Sequence, residues 1–525
     1  LNEFCAFMLC ERGKGRMKAG AKRRIWQCAA VLAGSAAFVL RFSYSTSFVW
    51  PGYYGYDSAI FQFIGRAWAG GTVPYAGLFD HKGPLIFFID MLGWLIHGRA
   101  GILVVQTLSL AVTAWGLYRL GREYLPRPWA LGAAGLALVY LARTFDEGNM
   151  TEEYSLPFLA VSLWLAARYC RRAQEAGGAV RHPWRYAAVY GLSFGAILML
   201  RVTSAVSLCC FVLVICIRLA AARQWKNLGA NALGFAGGFA AATGPFAIYF
   251  AAKGALGEAL YGTLWYNVFY ATRFSIRDYY AGNPWAASTL RRVFLDFGAP
   301  LFLLAVLCLA ALAQKPRSAL AWGALLSAAG SMYLLFSNRP YVHYYMIVAP
   351  LLPLAACLAA ELWRGRKGGR ARRASALCCA ALCGVYVCSL AVRLPRWGAD
   401  SFMAKYPAEV QHYNTVARQM AQLIPENEWD SVLAYNVDAQ FYLAAELAPC
   451  QKYFIHQDWQ AAADPAMQAE IARLFREAPP KWVAAGPVEN AAVAALLEEK
   501  YTPASEFAGF EEYAGYTLYR LKDKR

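Results

Sequence analysis

About eleven apolar runs, most of them near 20 residues long and separated by short polar turns, constrain this chain more than any other feature. They fall near 25–40, 101–120, 128–144, 153–170, 186–200, 203–222, 229–252, 297–314, 318–337, 341–363 and 374–393. Hydrocarbon offers no water to backbone polar groups, so repeated runs of this length imply a bundle of transmembrane helices. The chain is 59% hydrophobic, has a mean hydropathy of +0.32 and is only 16% charged, which excludes an ordinary soluble enzyme. Its 17 Trp and 32 Tyr suit the headgroup zones on either side of a bilayer.

Charge orients the spans. Residues 1–24 form a basic leader read as cytoplasmic, with a cleaved signal peptide, cut in the small-residue stretch at 33–37, as the alternative. Leu85 to His97 is apolar for only about 13 residues, too short to cross, and reads as a juxtamembrane or re-entrant helix. With that segment excluded, four successive turns on the leader's side collect the basic residues. These are Arg171, Arg172, Arg181 and Arg185; Arg218, Arg223 and Lys226; Lys315 and Arg317; and Arg364 through Arg373. This is the positive-inside pattern of a multi-pass plasma or inner membrane protein. The net charge of +18 belongs to this part, since from Arg396 onward there are 12 basic and 18 acidic side chains. No nucleic-acid motif accompanies it.

Residues 25–395 thus read as a mainly α transmembrane domain. Residues 396–525 turn polar and alternate between strand patterns at 431–435 and 482–485 and amphipathic helices at 464–475 and 489–500, as in a small α/β extracytoplasmic domain. It lacks a dinucleotide, nucleophile-elbow or P-loop motif and reads as a lid or acceptor-binding module. Most of the 14 Cys sit in apolar runs as small hydrophobes, and Cys450 alone lies in the C-terminal domain, so none is read as a metal ligand.

The stretch Tyr53 to Pro84 concentrates polar chemistry in a chain that otherwise hides from water: Asp57, Arg66, Asp80, His81 and Lys82. Other segments on the same side add Glu152 and Glu153, Arg201, Arg273, Arg339 and His343. A carboxylate can take a hydroxyl proton, and cations can hold a phosphate beside a bilayer. Each residue also has a purely structural reading. Asp57 could cap a helix starting at Ser58, and Asp80 could cap or pair with Lys82. His81 could be a hydrogen-bonded loop residue, and Glu152 or Glu153 could serve the next helix dipole. Arg201 could anchor the interface, and His343 could belong to an aromatic belt with Tyr341, Tyr344 and Tyr345. Asp57, Glu152 and Glu153 are also candidate oxygen ligands for magnesium or manganese, with no local metal motif to select them.

Tyr56-Asp57-Ser58, His81-Lys82-Gly83-Pro84-Leu85 and Thr151-Glu152-Glu153-Tyr154 resemble the motifs of GT-C glycosyltransferases. The likeness covers about residues 25–360. It is strongest to the branch similar to protein O-mannosyltransferases, aminoarabinose transferases and the RgtA/B/C/D-like lipopolysaccharide enzymes. Gly83 stands where many of those have a second proline. The resemblance implies inverting transfer of a sugar from a polyprenyl-phosphate donor to an envelope glycan, lipid or protein on the non-cytoplasmic face. By it, Asp57 is the base or the acid that orients the acceptor, Lys82 holds the lipid phosphate, and Glu152 or Glu153 binds acceptor or metal. The other cations could complete the phosphate clamp. A transporter or flippase for a lipid-linked sugar is the alternative, but it would favour midplane charges and repeated halves, which the sequence lacks. A non-catalytic assembly scaffold, with Asp57 and Lys82 dispensable, is the third reading.

Overall fold

The computed structural model describes residues 19–523 apart from 179, 269–280, 282–293 other than 288 and 291, 337–340, 400–405, 463 and 509–514. Each apolar run expected to span forms a helix. Among the described residues seven helical segments are long and apolar enough to cross a membrane, including ones in α1 (Ala19–Phe42) and α3 (Pro84–Arg122). The remaining four runs, at Arg127–Thr144, Thr151–Glu175, Trp184–Leu198 and Ala299–Gln314, are helices too, but shorter or more polar. Thr151–Glu175 shows why. It is buried along much of its length and packs against α3, so its polar side chains meet protein rather than lipid. The chain is a multi-pass helical membrane protein.

The short apolar segment after the first loop is resolved as half of a hairpin. α3 breaks at His97 and Gly98, where the backbone leaves helical geometry. Gly93 and Gly101 would lie about 12 Å apart in a straight helix. Here a Cβ on Gly101 would overlap the Gly93 carbonyl, so the segment from Pro84 folds back against the spanning half. Trp184–Leu198 and Trp225–Ala252 pack equally closely: a Cβ on Gly191 would overlap the Phe235 carbonyl, and one on Gly238 the Ala188 carbonyl. Both helices carry glycines four apart, Gly191 and Gly195, Gly234 and Gly238, the spacing that lets helix backbones touch in lipid.

The basic turns converge on one end of the bundle. Arg171 pairs with Glu123 at 3.6 Å, Lys315 with Glu361 at 3.9 Å, and Gln174 donates to Glu361 at 2.7 Å. Arg218 donates to the Arg317 carbonyl at 2.6 Å. The other ends of the same helices carry the first loop, the start of Thr151–Glu175 and the segment around Arg201. The basic residues and the candidate site are therefore separated by the length of the bundle.

The C-terminal part builds a four-stranded sheet, β1 (Val432–Tyr435), β2 (Trp482–Ala485), β3 (Tyr501–Ala508) and β4 (Gly515–Leu521), in the order β1-β2-β4-β3. β1 and β2 are parallel, joined by a crossover that includes the helix Pro465–Glu477, while β4 runs antiparallel to both neighbours. The first two strands and the two amphipathic helices match the sequence expectation. β3 and β4 were not anticipated: Pro503 and a register shift between Pro503 and Ser505 interrupt the alternation in β3.

Candidate active site at the first loop

This sheet domain is docked on the first loop. Phe79 N–H donates to the Lys452 carbonyl at 3.0 Å, and Asn414 bonds both backbone groups of Tyr53, at 3.1 and 3.0 Å. The Phe63 ring packs between Tyr442 and Phe454, at 5.1 and 5.4 Å. Apolar contact and paired backbone groups hold the loop from above.

α2 (Tyr56–Ala69) starts at Gly55 and carries Asp57 in its first turn. The capping role that was the alternative reading of Asp57 is taken by Glu147, whose carboxylate accepts from Tyr56 N–H at 3.1 Å and Ser58 N–H at 3.0 Å. Gly55 is required there twice over. Its φ of 101° suits glycine, and a Cβ would meet Glu147 Oε2 at 2.5 Å. With the helix end satisfied by Glu147, the Asp57 carboxylate is left to face Lys82, Oδ2 to Nζ 3.6 Å.

Lys82 is set by a tight loop. Its N–H donates to Asp80 Oδ1 at 2.8 Å, and its carbonyl accepts from Tyr75 O–H at 2.6 Å. Asp80, 2% exposed, is therefore a loop-building residue. Leu85 N–H donates to the Met199 carbonyl at 3.0 Å, and a Cβ on Gly83 would overlap that same carbonyl. Met199 lies two residues before Arg201, so one backbone carbonyl registers the Lys82 loop against the Arg201 segment. Gly83→Ala is expected to destabilise the protein by ~1–3 kcal/mol through overpacking and to displace Lys82 from Asp57. Thermal unfolding checks the first and a structure of the variant the second.

Arg201 pairs directly with Glu152, donates from Nε to Thr203 Oγ1 at 3.0 Å, and lies over the Tyr344 ring with its guanidinium carbon 3.6 Å from the centroid. A small cavity opens at this pair, walled by Leu334, Leu335 and Ile347. Glu153 turns the other way: it accepts from Gln106 Nε2 at 3.1 and 3.2 Å and from Asn149 N–H at 2.8 Å. It locks the 145–150 loop, in which Asp146, Gly148 and Asn149 are all left-handed. Asn149 extends the lock, donating to Ser58 Oγ at 3.1 Å and Asp90 Oδ2 at 3.0 Å. His343 is buried, with Nδ1 2.8 Å from Asp146 Oδ2 and its ring stacked on Tyr341.

Electrostatics separate the roles further. Burial alone would raise the Asp57 carboxyl, but Lys82 first, then His343, His81 and Arg201, hold it below the ordinary range. Burial and then Lys82 push His81 down to about 4, so it is neutral near pH 7. Its Nε2 lies 3.4 Å from Lys82 Nζ, placed to accept from the ammonium. Because the folded state resists protonating His81, stability is complete above the ordinary histidine value and falls as pH drops from 6.5 toward 4. A loss on the order of 1 kcal/mol is expected between pH 7 and 5.5, and His81→Gln should flatten that part of the melting-temperature profile.

The structure brings Asp57, Lys82 and His81 into one contact group, and joins Glu152 to Arg201 beside it. Arg66 is placed elsewhere. It sits about 14 Å further along α2 from Asp57, where Nη2 donates to the Leu447 carbonyl at 3.1 Å and fastens the C-terminal domain. Arg339 and Arg273 lie outside the described residues. Asp57, Glu152 and Glu153 do not fit a divalent cation as a set. Each is engaged separately, by an ammonium, a guanidinium and amide N–H groups, and among the described residues no three His, Cys, Asp or Glu converge. Sequence reasoning missed Glu147, Asp146 and Asn149; the Asp-Glu-Gly-Asn run at 146–149 was the available signal for a tight, carboxylate-bearing turn.

No protein-family model and no curated protein matches the sequence. Solved structures do match, over nearly the whole chain. The Archaeoglobus fulgidus oligosaccharyltransferase with zinc and sulfate is 16% identical with a TM-score of 0.52, over 92% of this chain and 72% of that one. Its apo form gives 13% and 0.53, over 93% and 74%. ArnT from Cupriavidus metallidurans in the apo state gives 13% and 0.50, over 95% and 98%. The likeness takes in more than nine-tenths of this chain, and the chain accordingly shares the fold of these structures, as the resemblance to GT-C glycosyltransferases leads one to expect.

Proposed function

We propose that this chain is an integral membrane glycosyltransferase that moves a sugar, with inversion, from a polyprenyl-phosphate donor to a cell-envelope acceptor on the non-cytoplasmic face. The observation that carries the reading is the Asp57–Lys82 contact at 3.6 Å, next to the Glu152–Arg201 pair. A base and two cations stand within one region, at the end of the bundle remote from the basic turns.

The chemistry follows from those groups. The acceptor hydroxyl oxygen forms a bond to the anomeric carbon, its proton passes to the Asp57 carboxylate, and the bond from that carbon to the phosphate oxygen breaks. Lys82 and Arg201 stabilise the extra charge left on the lipid phosphate. Donor binding also tunes the base. In the free protein Lys82 depresses Asp57, and a phosphate that draws the ammonium to itself relieves that effect and makes the carboxylate more basic. Sidedness follows from charge, with the basic end cytoplasmic. A divalent ion is assigned no step.

Purified protein in proteoliposomes with a labelled polyprenyl-phosphate sugar and an envelope extract as acceptor tests the reading. Formation of a glycosidic product is expected from the wild type. Movement of donor across the bilayer without product would instead make the protein a flippase.

A further inference from the structure

The segment from Lys452 to Trp459 in the C-terminal domain crosses the candidate site. It is fixed at three points: the Lys452 carbonyl on Phe79 N–H, the Phe454 ring on Phe63, and the Trp459 ring on His81 at 5.7 Å. Between these anchors His456 takes a left-handed conformation, φ 43°, unusual for a residue with a side chain. Its Nε2 lies 2.7 Å from Asp438 Oδ1. Among the described residues nothing bonds Nδ1, and the side chain remains 24% exposed.

Asp438 is a buried carboxylate, 1% exposed, and among the described residues neither of its oxygens has a hydrogen-bond partner, the 2.7 Å approach of His456 being an ion-pair contact. Such a group is costly unless something completes it. The reading above uses neither residue. The contacts of Lys452 with Phe79 and of Trp459 with His81 hold the segment that carries His456 beside the first loop, and the charges of Asp57 and Asp80 reach its imidazole. Burial would lower His456, but Asp438 first and then those two carboxylates outweigh it and raise it. Trp459, three residues on, keeps 37% of its surface exposed.

A carboxylate-held imidazole with a free ring nitrogen, beside a partly exposed indole, suits a ring that bears hydroxyls on its edge and C–H groups on its face. We propose that His456, Asp438 and Trp459 form an acceptor subsite that positions a carbohydrate hydroxyl over the Asp57–Lys82 pair; this rests on the transferase reading. His456 is here a positioning residue. The acceptor proton still passes to Asp57, and no group is transferred to the imidazole.

Saturation-transfer NMR on the full chain in lipid nanodiscs, with methyl α-D-glucopyranoside and methyl β-D-galactopyranoside as probes, tests the subsite without requiring turnover. Contact with at least one glycoside is expected in the wild type. It should fall by about fivefold or more in His456→Ala and Trp459→Ala and be partly kept in His456→Gln, with undecaprenyl phosphate binding unchanged in all three. That unchanged binding shows that each variant is folded. Glycoside contact absent from the wild type, insensitive to both substitutions, or replaced by contact with a threonine tripeptide would overturn the proposal. So would loss of undecaprenyl phosphate binding in step with glycoside contact. Intact glycoside contact in a protein that forms no glycosidic product would uphold the subsite and count against transfer.

Discussion

Asp57→Asn is expected to cut sugar transfer by roughly 10²- to 10⁴-fold while leaving donor binding close to wild type. The amide is nearly isosteric, so α2 and its Glu147 cap should survive unchanged, and what is lost is the ability to take a proton. The carboxyl is held below its usual range, so its charge persists as pH falls through mildly acidic values. The acid limb of the kcat/KM profile, which reports the free protein, should therefore lie below the ordinary carboxylate range, apart from any loss of folded protein. A variant that keeps near-normal turnover would show that Asp57 is not the base. One that loses donor binding equally would show that its role is to hold Lys82.

Arg201→Ala carries the second large effect, for a different reason. Glu152 is 1% exposed, and removing its guanidinium partner leaves a buried carboxylate uncompensated, which costs about 3–5 kcal/mol in comparable cases. Low yield of folded protein is expected. The informative comparison is the double variant Glu152→Gln with Arg201→Ala, which removes the orphaned charge. It should recover most of the melting temperature yet still bind the lipid phosphate at least ten times more weakly than the wild type. Recovery of both stability and binding would make the pair a structural ion pair alone.

How much of this could be read from the residues depended on whether a feature was local. The apolar runs and basic turns are local, and they located the helices and the two ends of the bundle. The break after Leu85–His97 was legible because thirteen apolar residues cannot cross a bilayer, although the hairpin itself depends on Gly93 and Gly101 meeting across the bend. Asp57 and Lys82 stood out as charges in an apolar context, and their proximity is a tertiary fact that the resemblance anticipated. Glu152 and Glu153 could not be told apart from sequence, since adjacent helix positions point about 100° apart and only the neighbours decide which meets Arg201. Glu147 escaped notice because it caps a helix distant in the chain. His456 and Asp438 escaped for a similar reason: the sheet domain had to be docked on the first loop before either could be placed near it.

In the proposed mechanism Lys82 is the cation for a lipid-borne phosphate, beside a carboxylate that works as the base. Equilibrium binding of undecaprenyl phosphate to the full-length protein in nanodiscs, comparing wild type with Lys82→Ala, tests it most directly. The dissociation constant is expected to rise about tenfold or more, as the loss of one charge-assisted contact worth ~1.5–3 kcal/mol requires. An unchanged constant in a folded Lys82→Ala protein would contradict the claim.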